Sequence, residues 1–588
     1  MNILGLSDVT GNHSHSSVAL LQDGRLSMAL SQERLSRIKN DSTFPLAAIE
    51  TVLSAVRLRM DDIDVFACGY PAPRYYASLL EHNLLDLPRA LVGVAVRRPD
   101  RVLKYLLPNL KKAIYDPSHA ASANALPSSK LVFVDHHLAH VTAAYAASSM
   151  EECLAISYGG FAPHADGRNV AGAVYRCCGE DIEFLQDIPY FATGCWFSGV
   201  TVALGYRYME QEGKTMGLAG LGDPHSCYDA VSGVTTRFID GRWQPYKHWL
   251  DYIFTPRAEV FLSSRSGRFL QGLLKRHRPE DVAAAAQRVW QENLLHFIQH
   301  LIDVYRIKKF ALAGGLFLNA AINRVIAEQA GVESLFIFPH TGDGSTPIGA
   351  ALQVHRTAVG LLPRRPITDT AWGCGFDRAA VLQDLHTCSG PLRYEVLPDA
   401  PAYTAKRLND GKIIGWFQGR EEYGPRSLGQ RCILADPRRL EMKRALNRRK
   451  QREEWIPLGV SCLAEQGDAY FANWQPSPFM TRLYQVHGDR RTAVPAAVHG
   501  DGSCRVQAVA GSTDLFRKLL ECFYGLTGIG MVLNSSLNRH GEPIVHRPAE
   551  AMHLLLEGVI DELVIGDMVI KSDRRGCLGG FEFYLTNF

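Results

Sequence analysis

A chain of 588 residues that is 46% hydrophobic and 21% charged, with a net charge of only +3, has no global electrostatic case for binding nucleic acid or a membrane surface, although local basic clusters remain open to it. That length buries more than one core, so two or more domains are expected. The thirteen cysteines form no C-x-x-C pair or regular framework and suit reduced thiols, and with no run of about 18 apolar residues and no export signal in "MNILGLSDVTGNH" the expected setting is a soluble cytoplasmic one.

The opening reads as a strand ("NILGLSDVT"), a polar turn ("GNHSHSS") and two apolar arms around an Asp-Gly hairpin signal ("VALLQDGRLSMAL"). His13 and His15 therefore lie in the first bend. After the strand-like run Lys130 to Val134 comes "DHHLAH", where His136 and His140 stand four residues apart. On a helix such a pair shares one face, about 6 Å apart, close enough to grip one metal ion or equally to be ordinary helix residues. A carboxylate partner is available at Asp343 in "PHTGDGSTPIGAAL", although an aspartate there also reads as a helix cap. Two imidazoles and a carboxylate with open positions suit divalent iron or a similar transition metal.

Glycine-ended strands recur at "CLAISYGG" and "FALAGGLFLN", and the latter carries Gly314, Gly315 and Asn319. Between them lie "EQEGKTMGLAG", with Glu212 and Lys214 around a glycine turn, and the helical run "DVAAAAQRVWQENLLHFIQHLIDVY". Strands alternating with amphipathic helices predict α/β layering with mixed sheets. Prolines and polar residues interrupt the pattern at 360–376, the candidate linker, giving domains 1–360 and 370–588. No short-period repeat is evident.

Beyond the linker, "QGREEYGPRSLGQRCILADPRR" sets Arg420, Arg426 and Arg431 in one constrained turn, and guanidinium forks there suggest an anionic ligand such as a phosphate or carboxylate. Asp436-Pro437 reads as a helix start leading to "NRRKQREEW", with Lys450 and Arg452; the plain alternative is a solvated basic face. Arg505 in "HGDGSCRVQAV" and the short polar residues Asn534 and Ser536 in "VLNSSLNRHGEPIV" add donors at strand ends, where they also serve as ordinary turn residues.

Taken in order, "SSVALLQDG", "SQERLSRIK", "DHHLAH", "EGKTMGLA", "LAGGLFLN", "GDGSTPIGAAL", "GREEYGPRSLGQRCILADPR", "KQRE" and "LNSSLNRHGEPIV" resemble the two-domain O-carbamoyltransferases that decorate antibiotics and nodulation factors. The resemblance runs over nearly the whole chain. It implies an actin-like ATPase superfold in the first domain, similar to the tRNA threonylcarbamoyltransferase, and a YrdC-like second domain. The second would join carbamoyl phosphate to ATP, with Mg2+, as carbamoyl-adenylate; the first would pass the carbamoyl group to a hydroxyl of a small-molecule acceptor. By resemblance, Lys39, Glu212, Lys214, Gly314, Gly315 and Asn319 hold the adenylate. Arg420, Arg426, Arg431, Lys450, Arg452 and Arg505 neutralise phosphates that Asn534 and Ser536 orient, while His136, His140 and Asp343 hold iron(II). The general base is His13, with His15 its rival in a turn one residue longer than the usual N-H-D-x-S. The segment 71–110 is expected to shape the acceptor pocket.

The chain departs from the family pattern twice. Gly159 stands where a second metal-binding aspartate is usual, leaving the site one ligand short, so that Asp166, His164 or water replaces it or metal binding is weak or absent, and "WIPLGV" replaces R-P-F-A-P. Two competing readings are carried, carbamoylation in tRNA modification or protein maturation and a non-catalytic binding protein of the same fold. The first would want a larger basic surface, and the second would have no need of two phosphate-binding clusters.

Overall fold

The computed structural model describes residues 1–7, 15–70, 126–164, 168–329, 331–511 and 515–572. His13, Asp166 and the segment 71–110 lie outside the described residues. Among those described, no helix is long and apolar enough to cross a membrane.

Three mixed sheets carry the architecture. In the first, β1 (Asn2–Leu6), β2 (Ser17–Gln22) and β3 (Arg25–Ser31) make an antiparallel meander. β4 (Val65–Cys68) and β5 (Leu131–Phe133) then add in parallel, giving the order β3-β2-β1-β4-β5. The second sheet repeats this plan. β6 (Glu152–Pro163), β7 (Asn169–Cys178) and β8 (Asp181–Pro189) form the meander, and β9 (Lys309–Ala313) and β10 (Ser334–Ile337) join in parallel, in the order β10-β9-β6-β7-β8.

Two helices lie between these sheets. α1 (His136–Ala147) packs on β6 and β9, and α2 (Thr346–Val359) packs on β1, β2 and β4. Their alanine-rich faces share one core with Ile3, Ala19, Ala155 and Ala311. Small residues let the helices approach closely, and a methyl group on Gly349 of α2 would overlap the Ala139 carbonyl of α1. That contact sets the start of α2 beside the histidines of α1. Asp135 caps α1, its carboxylate accepting from Leu138 N at 2.9 Å.

After α2, residues 360–377 run as a connecting strap without helix or strand. They lead to a nine-stranded sheet built from β11 (Leu392–Val396), β12 (Ile414–Phe417), β13 (Arg431–Ala435), β14 (Gly459–Leu463), β15 (Leu483–Gln485), β16 (Ser503–Val509), β17 (Met531–Ser536), β18 (Glu562–Ile565) and β19 (Met568–Ser572). The order is β11-β19-β18-β12-β13-β17-β14-β16-β15, mixed in direction. β12, β13 and β14 are buried throughout, which accounts for their continuous apolar runs. The helix expected from Asp436-Pro437 begins later, at Leu440, because the Asp436 carboxylate is taken by the Arg438 guanidinium at 2.6 Å.

Candidate active site

The helix α1 aims His136 and His140 at one point. His136 Nδ1 donates to the Gly69 carbonyl at 3.1 Å. His140 Nδ1 lies 2.6 Å from Ser345 Oγ, and that hydroxyl spends its own proton on the Gly342 carbonyl at 3.1 Å, so it accepts from His140. Both Nδ1 atoms therefore carry the ring proton, and both Nε2 atoms present lone pairs. These lone pairs face each other at 3.1 Å, and each lies 3.8 Å from Asp343 Oδ1. Three electron-rich atoms converging in a buried place repel unless a cation or proton sits among them. Burial, then the neighbouring His136, holds His140 well below its ordinary pKa, which favours a cation over a proton. This donor set fits a divalent transition metal. The middle histidine of the run, His137, turns to Ser157 Oγ (2.9 Å), and burial pushes its pKa down to about 3.

His15 reaches the same chamber. It adopts a left-handed backbone (φ 70°), unusual for a side chain of this size, and such strain concentrates at functional sites. Its ring packs edge-on against His340 at 5.8 Å. Burial lowers its pKa, while Glu33, Lys39 and Asp343 all act on its charge. Lys39, expected at the adenylate, instead clasps both Glu33 oxygens at 2.8 and 3.0 Å. Burial pushes the Glu33 carboxyl up, but Lys39 and His15 outweigh it and hold it near 2. His340 escaped the sequence reading. Burial and His15 push its pKa down to about 3, and its Nδ1 is buried without a hydrogen-bond partner. Its place three residues before Asp343 was the available signal.

The other first-domain candidates divide. Glu212 accepts from Ser198 Oγ and Met209 N, both at 2.7 Å, and burial raises its pKa. Lys214 crosses to the second domain and pairs with Glu453 at 2.6 Å. Gly314 ends β9 against Tyr158, and Gly315 has nothing within 4 Å of where a side chain would start. Asn319 caps the helix that starts at Ala320. Its Oδ1 accepts from Ala321 N (3.2 Å) and Ile322 N (3.1 Å), and its Nδ2 donates to Gln287 at 2.8 Å. Nor does His164 supply the ligand missing at Gly159. It bridges Asp135 (2.9 Å) and Asp187 (2.7 Å), which uses both ring nitrogens. Gly159 itself leaves room for a side chain, the nearest atom being Gly315 N at 3.5 Å.

In the second domain a cavity of about 90 Å³ is lined by Arg426, Arg452, Arg505, Asn534, Ser535 and Ser536. No carboxylate lines it. Neighbouring Arg505, then burial, holds the Arg426 guanidinium well below its usual range. Burial and Arg505 push Arg452 down to about 10. One terminal nitrogen of Arg452 and Nε of Arg505 are buried without partners. Asn534 is oriented by Ser427 (2.9 Å) and Ser461 (2.8 Å). Three part-buried guanidinium groups around a cavity that no carboxylate lines repel one another, and an anion in the cavity relieves that cost.

Arg420, Arg431 and Lys450 engage main-chain carbonyls and neighbouring side chains. Arg420 donates to the carbonyls of Gly373 (2.8 Å), Trp372 (2.5 Å) and Ser27 (2.8 Å). Arg431 lies over the Phe417 ring (3.6 Å) and donates to the carbonyls of Gln418 (2.7 Å), Cys374 and Gly419 (both 3.2 Å). Lys450 is buried against the Ser536 carbonyl and Asn538 (2.9 Å), and the Ser536 hydroxyl donates to Asn538 at 2.6 Å. The turn reverses at Gly424 (φ 128°), a conformation side chains resist, so arginines close in sequence leave on different sides.

Comparison with known proteins bears on both halves. Residues 2–352 match the family described as Carbamoyltransferase N-terminus, and residues 405–572 match Carbamoyltransferase C-terminus. The nodulation protein NolNO of Sinorhizobium fredii is 30% identical over 574 residues, 96% of this chain and 80% of that protein. The 3'-hydroxymethylcephem-O-carbamoyltransferase of Streptomyces clavuligerus is 27% identical over 367 residues, 62% of this chain and 65% of that one. Among solved structures, full-length HypF in its phosphate- and nucleotide-bound form aligns with a TM-score of 0.33 at 14% identity, over 61% of this chain and 47% of that chain, too slight a likeness to argue from.

Proposed function

The chain belongs to the carbamoyltransferase family, and from that premise we propose that it is an ATP-dependent O-carbamoyltransferase acting on a hydroxyl of a small natural product. A relative's name already specifies a hydroxymethyl cephem as acceptor, which supports a small-molecule hydroxyl here. The observation that carries the reading is the trio Arg426, Arg452 and Arg505 around a cavity without a carboxylate in the second domain, paired with the converging His136, His140 and Asp343 in the first.

We assign residues 370–588 as a YrdC-like donor domain and 1–360 as an actin-like transfer domain, the latter supported by its two sheets of one strand order. In the donor domain, carbamoyl phosphate loses phosphate to water. The resulting carbamate oxygen attacks the α-phosphorus of Mg2+-bound ATP and displaces pyrophosphate. Arg426, Arg452 and Arg505 neutralise the anionic oxygens, and Asn534 orients them. In the transfer domain the acceptor oxygen attacks the carbamoyl carbon, AMP leaves, and the hydroxyl proton passes to His13 or to its rival His15, of which His15 is the one among the described residues. Its lowered pKa keeps it neutral and ready to accept that proton. Divalent iron bound by His136, His140 and Asp343 would supply Lewis acidity toward the carbamoyl carbonyl. A cytoplasmic setting, where ATP is abundant, suits the reading.

Replacing His15 separates the two steps. His15→Ala should keep carbamoyl-phosphate-dependent pyrophosphate release while carbamate ester formation falls about 10²–10⁴-fold. Ester formation at the wild-type rate would remove His15 as the base.

A further inference from the structure

The loop 418–430, between β12 and β13, touches both sites. Its Tyr423 enters the first domain, where the hydroxyl donates to the Gly344 carbonyl at 2.6 Å and the ring packs 5.0 Å from His340. Gly344 follows Asp343 directly, and His340 packs against His15. Three residues after Tyr423, Arg426 of the same loop lines the arginine cavity.

The loop is held stiffly between these ends. Arg34 of the first domain donates to the carbonyls of Glu422 and Gly424, both at 3.0 Å, and pairs with the buried Glu421 at 3.4 Å. The Glu422 carboxylate accepts from Leu428 N (2.8 Å) and Arg431 N (3.2 Å), and Tyr423 N donates to the Thr370 carbonyl at 2.7 Å. Residues 421–424 are thus tied both to Arg34 of the first domain and to Thr370 of the strap. Arg426 and Arg505 both line the cavity and their charges oppose each other, so an anion there relieves their repulsion, and Tyr423 lies three residues from Arg426.

We propose that Tyr423 is a positioning residue, and that its bond to Gly344 transmits anion occupancy at Arg426 to the turn carrying Asp343. The two half-reactions are thereby ordered, the acceptor-side site being set when the donor cavity is filled. This rests on the function proposed above.

The test uses full-length protein loaded with cobalt(II), whose visible absorption reports the geometry at His136, His140 and Asp343, with carbamoyl phosphate as the probe. The wild-type band should shift on adding carbamoyl phosphate, and the shift should vanish in Tyr423→Phe. That variant should release pyrophosphate within about twofold of the wild-type rate with an unchanged KM for carbamoyl phosphate, while overall carbamoyl transfer falls about tenfold or more. Arg426→Ala, which leaves Tyr423 in place, should bind cobalt and also lose the shift, so the result does not hang on one variant's folding. An equal shift in Tyr423→Phe, no shift in wild type, or loss of pyrophosphate release in Tyr423→Phe would each overturn the proposal. Wild-type protein that releases no pyrophosphate at all would instead overturn the donor chemistry beneath it.

Discussion

His164 shows how a single side chain supports the chamber without entering it. Burial lowers its pKa, but Asp135 and Asp187 outweigh burial and raise it to about 9, against 6.5 for a free imidazole. A group that binds its proton more tightly when folded contributes stability fully below pH 6.5 and loses it as pH rises through about 9. His164→Gln should therefore cost about 2 kcal/mol near pH 6, a gap that narrows toward pH 10. Thermal unfolding of both proteins across that range checks this, and a gap independent of pH would contradict it. At this scale the sequence was partly legible. Spacing alone brought His136 and His140 together, and the glycine-flanked Asp343 was a fair partner for them. The partners found at Lys39, Asn319, Arg420 and Arg431 were not legible, because they are main-chain carbonyls, helix amides or carboxylates that no spacing reveals.

The decisive elements are α1, α2 and the arginine loop. Closeness of the two helices depends on Gly349, so Gly349→Ala should push α2 off the Ala139 carbonyl, cost about 1–3 kcal/mol, and draw Ser345 away from His140. Chemical denaturation together with cobalt affinity measures both effects. Unchanged stability and unchanged metal binding would mean that the helices are not in this contact. Helical periodicity and strand-ending glycines made α1, β6 and β9 readable in advance. The arginine loop was readable as a constrained turn but not in its direction, since Gly424 and Gly429 take positive φ values (128° and 115°) that scatter neighbouring side chains.

Across the whole molecule, the strap at 360–377 separates the paired five-stranded sheets from the nine-stranded one, and mixed α/β layering was visible in the alternation of strands and helices. The doubling of one strand plan was not visible, because strand order repeats while residue identities do not. The interface mixes apolar packing, such as Phe336 on Phe479, with hydrogen bonds from Arg37 to the Pro543 (2.9 Å) and Ile544 (2.8 Å) carbonyls and from Asn323 to Thr481 (2.7 Å). The central claim is that guanidinium groups around a cavity free of carboxylates assemble an activated carbamoyl donor from anionic substrates. Pyrophosphate release from ATP tests it most directly. Release that requires carbamoyl phosphate and falls at least about 10²-fold in Arg426→Ala is the expected result, and equal release by the folded variant would contradict the account.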